Sequence, residues 1–238
     1  MMKIVMLGTR GIPANYGGFE TCVEEVAVRL AKKHKVIVYV RKRHYHKKIK
    51  EYKNIRLVYL PSINFKSLET LSHTFLSVVH ALIFHWSAVW MIFNAANSPT
   101  LFLPWLFRRK MAINTDGLEW KRDKWGKIGK VYYQFSEWLA TKWVKNIVAD
   151  SKGIHEYYLN RWNSNSTIIE YGAYIQNTSN ENILNKFNLK VDKYFLQITR
   201  LEPENNPLLT IEAYLKFFND NPNSNIKLII VGDVTYQN

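Results

Sequence analysis

The sequence predicts an α/β protein built on a doubly wound parallel sheet. Short apolar runs recur along the chain and alternate with longer segments of helical periodicity. A glycine-bearing loop joins the first such run to the first helical stripe. The 238 residues are 47% hydrophobic and 22% charged, which is ordinary globular composition with enough chain to bury a core.

The first strand is read over about 2–7. The loop Gly8-Thr9-Arg10-Gly11-Ile12-Pro13-Ala14-Asn15-Tyr16-Gly17-Gly18 follows, then a helix over about 19–33. Phe19, Cys22, Val23, Val26, Ala27 and Leu30 recur at helical spacing and form one stripe. Glu20, Glu24 and Glu25 near its start and Lys32 and Lys33 at its end suit the helix dipole. Cys22 lies on the stripe and reads as core. Strands follow at 36–40 and 55–60, separated by a basic segment from Arg41 to Lys53.

A region without Asp, Glu, Lys or Arg runs from Thr70 to Phe107. It is long enough to suggest a membrane span, but His73, Ser77, His80, His85 and Ser87 punctuate it. It is read instead as a helix (67–84), a buried strand (87–93) and a short helix after Pro99. Beyond it come a strand at 110–114, a polar tryptophan-bearing segment at 115–130 and a helix at 131–143. A strand at 146–149, a helix at 152–162 and a strand at 167–170 complete the first part. Residues 173–192 read as a linker rich in Asn and Ser, with at most a short helix near 181–187. A single β-α-β unit then spans 193–238: strand 194–198, helix 208–218, strand 226–231. The domain reading is therefore 1–172, a linker 173–192, and the opening of a second domain at 193–238.

The net charge of +14 is concentrated in the first half: residues 1–130 hold 23 Lys or Arg against 8 Asp or Glu. Such a surface attracts anions, whether phosphate-rich substrates, acidic membrane or nucleic acid, or it is simply solvated. No nucleic-acid reader motif occurs, so nucleic acid is not an expected partner. The basic segment Arg41–Lys53 holds seven Lys or Arg and, with Tyr45 and Ile49, is a candidate for docking on anionic lipid. One cysteine excludes a disulfide framework and a Cys-rich zinc site. The apolar run at the N-terminus is too short for a signal-peptide core.

A strand, a glycine loop and a helix N-terminus together form an anion site, because free backbone N–H groups and the helix dipole converge there. Gly17 and Gly18 stand where the helix begins, and lacking a β-carbon they would admit a phosphate to the backbone. The spacing is neither the dinucleotide fingerprint nor a P-loop. The alternative is a set of glycines serving a tight turn.

Several motifs resemble bacterial family 4 glycosyltransferases, in the rhamnosyltransferase-like branch that builds capsule and other surface polysaccharides. They are Gly8-Thr9-Arg10-Gly11-Ile12-Pro13, Tyr16-Gly17-Gly18-Phe19-Glu20-Thr21, and Asp116-Gly117-Leu118-Glu119-Trp120-Lys121-Arg122 with Lys124-Trp125. Ala149-Asp150-Ser151, Tyr171-Gly172-Ala173 and Arg200-Leu201-Glu202-Pro203-Glu204-Asn205-Asn206 continue the series in order.

The resemblance implies a GT-B fold, an acceptor-side N-terminal domain and a donor-binding second domain. It implies a retaining, metal-independent transfer from a nucleotide-diphosphate-sugar, best read as L-rhamnose from dTDP-rhamnose, to a lipid-linked saccharide, with no other cofactor. It implies a cytoplasmic protein, peripheral at the inner face of the membrane. Gly17, Gly18 and Arg200 would contact the donor diphosphate, and Asn205 stands where the wider family carries a basic residue. Asp116 and Glu119 would be the catalytic or acceptor-orienting groups. Trp120, Arg10, Asn15 and Tyr16 would touch acceptor or sugar. The same residues suit plainer roles: a cap or turn for Asp116, an ion pair with Lys121, Arg122 or Lys124 for Glu119, and core packing for Trp120 and Trp125. On this reading 193–238 lacks much of a donor domain, so the chain by itself is expected to be inactive. The alternatives are a non-catalytic fragment binding membrane or acceptor, or a transferase for another hexose.

Overall fold

The computed structural model describes the chain apart from residues 16, 66–67, 123–124, 176–180 and 234–238. Two compact units result: Met1–Lys121 with Trp125–Gly172, and Arg122–Lys124 with Ala173–Asn238.

The first unit is a parallel sheet covered on both faces. In chain order it contains β1 (Lys3–Leu7), α1 (Gly18–Ala31), β2 (Lys35–Arg41), β3 (Glu51–Tyr52), β4 (Ile55–Leu60), α2 (Glu69–Phe84), β5 (Val89–Phe93), α3 (Phe102–Leu106), β6 (Met111–Asn114), α4 (Lys127–Trp143), β7 (Asn146–Ala149), α5 (Lys152–Trp162) and β8 (Thr167–Ile168). The strand order is β3-β4-β2-β1-β5-β6-β7-β8. Every pairing is parallel except the short hairpin β3–β4. The chain moves outward from β1 through β2 and β4, then restarts on the other side at β5. The ends of β1 and β5 therefore form a switch point, where open α/β sheets leave a crevice.

Alternation along β1 divides the core. Val5 and Leu7 pack with Val78 and Ala81 of α2, Leu101, Ala140 of α4 and Val144 just past its end. Ile4 and Met6 face the other way, onto Val23 and Ala27 of α1. Strands buried on both faces must be apolar throughout, which is why β1 and β2 read as uninterrupted runs.

The uncharged region is a helix and a strand of this core. No helix among the described residues is long and apolar enough to cross a membrane. Its polar side chains are internal ties. Fully buried Asn97 donates through Nδ2 to the carbonyls of Phe93 (2.7 Å) and Gly8 (3.2 Å), and its Oδ1 accepts from Thr74 of α2 at 2.7 Å. His73 is buried in α2, and burial pushes its pKa down to about 3, so it is a neutral core residue at physiological pH. The Pro99 region is a 3-10 turn (Ala95–Leu101) leading into α3.

Four expectations change. The helix read as 131–143 starts at Lys127, and the strand read as 167–170 is only Thr167–Ile168. Cys22 is half-buried, because Val23 and Ala27 take the sheet-facing positions; burial pushes its thiol pKa up. Tyr45 and Ile49 of the basic segment turn inward. The Tyr45 hydroxyl donates to the Pro13 carbonyl at 3.0 Å and its ring meets Tyr59 edge-on, while Ile49 packs on the core. Arg41 is buried against Glu69 (3.5 Å) and Thr70 (3.0 Å), and His44 also meets Glu69, at 2.7 Å. The exposed remainder of that segment is cationic without an apolar anchor.

The second unit contains α6 (Glu181–Lys186), β9 (Tyr194–Ile198), α7 (Pro207–Asp220) and β10 (Lys227–Val231). β9 and β10 pair in parallel. Gly232 lies against the Thr199 carbonyl oxygen, 1.9 Å from where a β-carbon would stand, so only glycine fits there.

Candidate functional site

The glycine loop leaves β1 at the switch point, and its glycines divide into two kinds. Gly8 and Gly11 have φ of +108° and +111°, where L side chains are strained. A β-carbon on Gly8 would stand 2.2 Å from the Phe93 carbonyl oxygen, and one on Gly11 would stand 2.8 Å from both Val40 methyls. These two are demanded by the fold.

Gly17 and Gly18 are not. Gly17 is in extended backbone and Gly18 opens α1. Among the described residues, a β-carbon on Gly18 would meet nothing within 4 Å, and one on Gly17 only Glu20 Oε2 at 3.7 Å. No described side chain caps this helix. Its first-turn N–H groups therefore sit beside open space with the positive end of the helix dipole behind them.

Carboxylates hold the loop in place. Oε1 of buried Glu20 accepts from the Arg10 N–H at 3.3 Å. Glu24 Oε2 accepts from the Ala14 N–H at 2.7 Å, and its Oε1 accepts from the Tyr52 hydroxyl (2.7 Å) and Lys53 (2.9 Å). Burial alone would raise the Glu24 pKa, but the bonds from Ala14, Lys53 and Tyr52 outweigh it and hold the carboxyl below its usual range. Sequence reasoning assigned both glutamates to the helix dipole. Their main partners are the loop and the β3 hairpin, which only the folded chain brings close.

Glu24→Gln is accordingly expected to cost about 1–3 kcal/mol, the scale of hydrogen bonds to a charged group. It should also speed hydrogen exchange at the Ala14 amide. Unchanged protection there would show that the carboxylate does not hold the loop.

The predicted polar groups meet the loop at the same sheet edge. Asp116 follows β6 in left-handed backbone (φ 61°), with its N–H donating to Asn114 Oδ1 at 3.1 Å. Phe19 of α1 contacts Phe93 and Tyr171 edge-on, at 5.7 and 6.4 Å. Burial, with Asp116, Cys22 and Asp150 nearby, raises the Tyr171 pKa. Tyr171 thus borders the start of α1, with Asp116 and Asp150 close enough to act on it. Asp150 also accepts from Ser151, which caps α5. Asn15 is exposed, Arg10 is half-buried, and Tyr16 lies outside the described residues.

Glu119 accepts from Trp125 Nε1 at 3.2 Å. Within the second unit Arg122 pairs with Glu202 (2.5 Å) and Glu204 (3.3 Å). Trp120 donates through Nε1 to the Tyr157 hydroxyl at 3.2 Å, and the Arg161 guanidinium lies 5.5 Å from its ring. Tyr157 in turn donates to Glu137 Oε2 at 2.7 Å. Glu137 is 3% exposed, and burial pushes its pKa up to about 7 despite Tyr157 and Arg161. No motif marked Glu137; an acid on the inward face of an apolar helix was the available signal.

In the second unit Arg200 is exposed, with Glu202 3.9 Å away. Asn205 donates through Nδ2 to the Arg200 carbonyl at 2.9 Å and so braces the loop that carries Arg200. Among the described residues no group of three or more His, Cys, Asp or Glu could hold a metal ion.

Residues 1–84 and 106–174 match the family model described as a domain of unknown function, DUF1972. The chain belongs to this family. No curated protein matches this DUF1972 chain. Solved structures do. A sucrose-phosphate synthase from Thermosynechococcus elongatus superposes with a TM-score of 0.63 at 15% identity, over 98% of this chain and 71% of the synthase. A glycosyltransferase from Rickettsia africae ESF-5 gives 0.61 at 15%, over 98% of this chain and 69% of that one. The S. aureus MnaA–UDP co-structure gives 0.60 at 15%, over all of this chain and 64% of that one. The DUF1972 chain therefore spans less than two thirds of the length of MnaA. At these identities the likeness establishes the fold: the Rossmann-like parallel sheet of GT-B proteins.

Proposed function

We propose that this DUF1972 chain acts in a glycosyltransferase, its first unit on the acceptor side and its second unit on the donor side. The open, uncapped start of α1 at the switch point carries the reading. Neither backbone conformation nor packing calls for glycine at position 18, whereas a diphosphate approaching the helix N-terminus would. Gly17 and Gly18 would cradle the donor diphosphate. In the second unit, Arg200 is the residue that the motif resemblance assigns to diphosphate contact. Leaving-group charge at the helix start would be neutralised by backbone dipoles, without another cofactor.

Asp116 and Glu119 would orient or activate the acceptor hydroxyl, with Trp120, Arg10, Asn15 and Tyr16 around it. The similarity to a UDP co-structure supports a nucleotide-sugar donor in general. The motif resemblance favours L-rhamnose from dTDP-rhamnose, a retaining mechanism and a lipid-linked saccharide acceptor at the inner membrane face.

Titrating dTDP and UDP into ¹⁵N-labelled protein tests the cradle. The amide signals of Gly17, Gly18 and Phe19 are expected to shift, and Gly18→Val should abolish the shifts while leaving the spectrum folded. Shifts located elsewhere, or none, would remove the basis for the assignment. A panel of nucleotide-sugars, read by the nucleotide diphosphate released, then identifies the donor.

A further inference from the structure

The sheet edge opposite the glycine loop carries a second feature that the transferase reading does not use. A cleft of about 580 Å³ opens at the N-terminal ends of β1, β2, β5 and β6. Lys3, Lys35, Arg108, Arg109 and Lys110 line it together with Trp86, and no acidic residue does.

An aromatic shelf adjoins the cleft. Trp86 and Phe107 are 5.4 Å apart, and Phe102 and Trp105 of α3 stack with each other and with Trp143 of α4 at 5.8–6.1 Å. Trp86, Phe102, Trp105 and Phe107 are each 42–46% exposed. Arg109 joins shelf and cleft: its guanidinium lies 4.0 Å from the Trp86 ring and donates to the carbonyls of Trp86 and Phe107. From Trp143 the surface continues along α4, where Phe135 and Trp138 stack at 5.8 Å and stand exposed in line with Lys142. The one acid of α4, Glu137, is buried on the opposite side.

We propose that this face docks on an anionic phospholipid bilayer, with the aromatic shelf in the interfacial layer and lipid phosphates in the cationic cleft. Aromatic rings beside an acid-free set of Lys and Arg match the two layers of such an interface. A contiguous apolar patch on a soluble surface calls for an occupant. The charge decides which, because a second copy of the chain would bring like-charged clefts together. This deepens the membrane part of the proposed function and moves it from the Arg41–Lys53 segment, whose apolar residues are internal.

Co-sedimentation with vesicles, without any nucleotide, tests the face independently of sugar transfer. The full chain is expected to bind vesicles of phosphatidylglycerol mixed into phosphatidylcholine, and to bind pure phosphatidylcholine weakly. Trp105→Ser with Phe107→Ser, and separately Lys35→Glu with Lys110→Glu, should each lower partitioning by about tenfold or more, given the apolar area or charge removed. The charge pair lies on exposed strand ends and keeps the test valid should the aromatic pair unfold. Lys47→Glu with Lys48→Glu and Lys50→Glu should change binding little. The proposal is overturned by wild-type partitioning in both face variants, by loss confined to the Lys47 set, or by no vesicle binding at all. A concentration-dependent dimer that the Trp105/Phe107 variant abolishes would overturn it too.

Discussion

Gly8→Ala is expected to destabilise the first unit by about 3–5 kcal/mol, whereas Gly18→Ala should leave stability unchanged or raise it by up to about 1 kcal/mol. The first figure combines backbone strain at positive φ with a clash that cannot relax cheaply. The methyl at position 8 would stand 2.2 Å from the Phe93 carbonyl oxygen, which already accepts from Asn97, and 2.8 Å from Asn97 Nδ2 itself. Both belong to the tie that joins β1, β5 and α2, so local adjustment would break buried hydrogen bonds. The second figure is the ordinary gain of alanine over glycine in a helix, since a β-carbon on Gly18 meets open space. Urea denaturation of both variants checks the pair. A mild Gly8→Ala, or a Gly18→Ala that costs more than about 2 kcal/mol, would show that the division of the glycines into structural and open kinds is wrong. Should Gly18→Ala keep its fold and weaken dTDP binding, the cradle gains its strongest support.

Glu137→Gln should stabilise the chain at pH 8 by about 3 kcal/mol and change it little near pH 4.5. The carboxyl is held at about 7, above its usual 4.5, chiefly by burial. Between those values the folded chain keeps a proton that the unfolded chain releases. Stability therefore falls as pH rises from 4.5 through 7, and about 1.4 kcal/mol per pKa unit sets the size of the loss. Glutamine removes the titration and still accepts from Tyr157. Tyr158 and Arg161, the other ionisable groups near Glu137, are present in both proteins, so their contributions largely cancel in the difference. Denaturation midpoints at several pH values measure it. Parallel pH profiles for wild type and variant would mean that Glu137 does not titrate in this range. Because Tyr157 also receives the Trp120 N–H, ionisation of Glu137 reaches the Asp116–Trp120 loop through two hydrogen bonds.

The fold was legible because the signals that specify it are local. β1 and β2 are uninterrupted apolar runs since the sheet is covered on both sides, and Val23 and Ala27 stand at helical spacing since only one face of α1 meets the sheet. The same reasoning separated the Thr70–Phe107 region into a helix and a strand from its polar interruptions alone. The site was legible in part. Sequence placed Gly17 and Gly18 where the first helix begins and Asp116 just past a strand, and the topology brings those positions to one edge.

What sequence left open depended on contacts between distant residues. Four loop glycines look alike in the sequence. Only Phe93 and Val40 show that Gly8 and Gly11 are structural, and only empty space shows that Gly18 is not. Glu20 and Glu24 suit a helix dipole equally well whether or not a loop lies across them, and Asn97 carries no motif for the three elements it ties.

By itself, then, the sequence determined the order and type of the elements and the concentration of positive charge in the first half. These follow from periodicity and composition, which act over a few residues. The tertiary structure alone decided which glycines are open, which acids are buried, and which basic residues gather beside exposed aromatics. Each of those is a property of what packs against a residue, and neighbours in space are set by the whole chain.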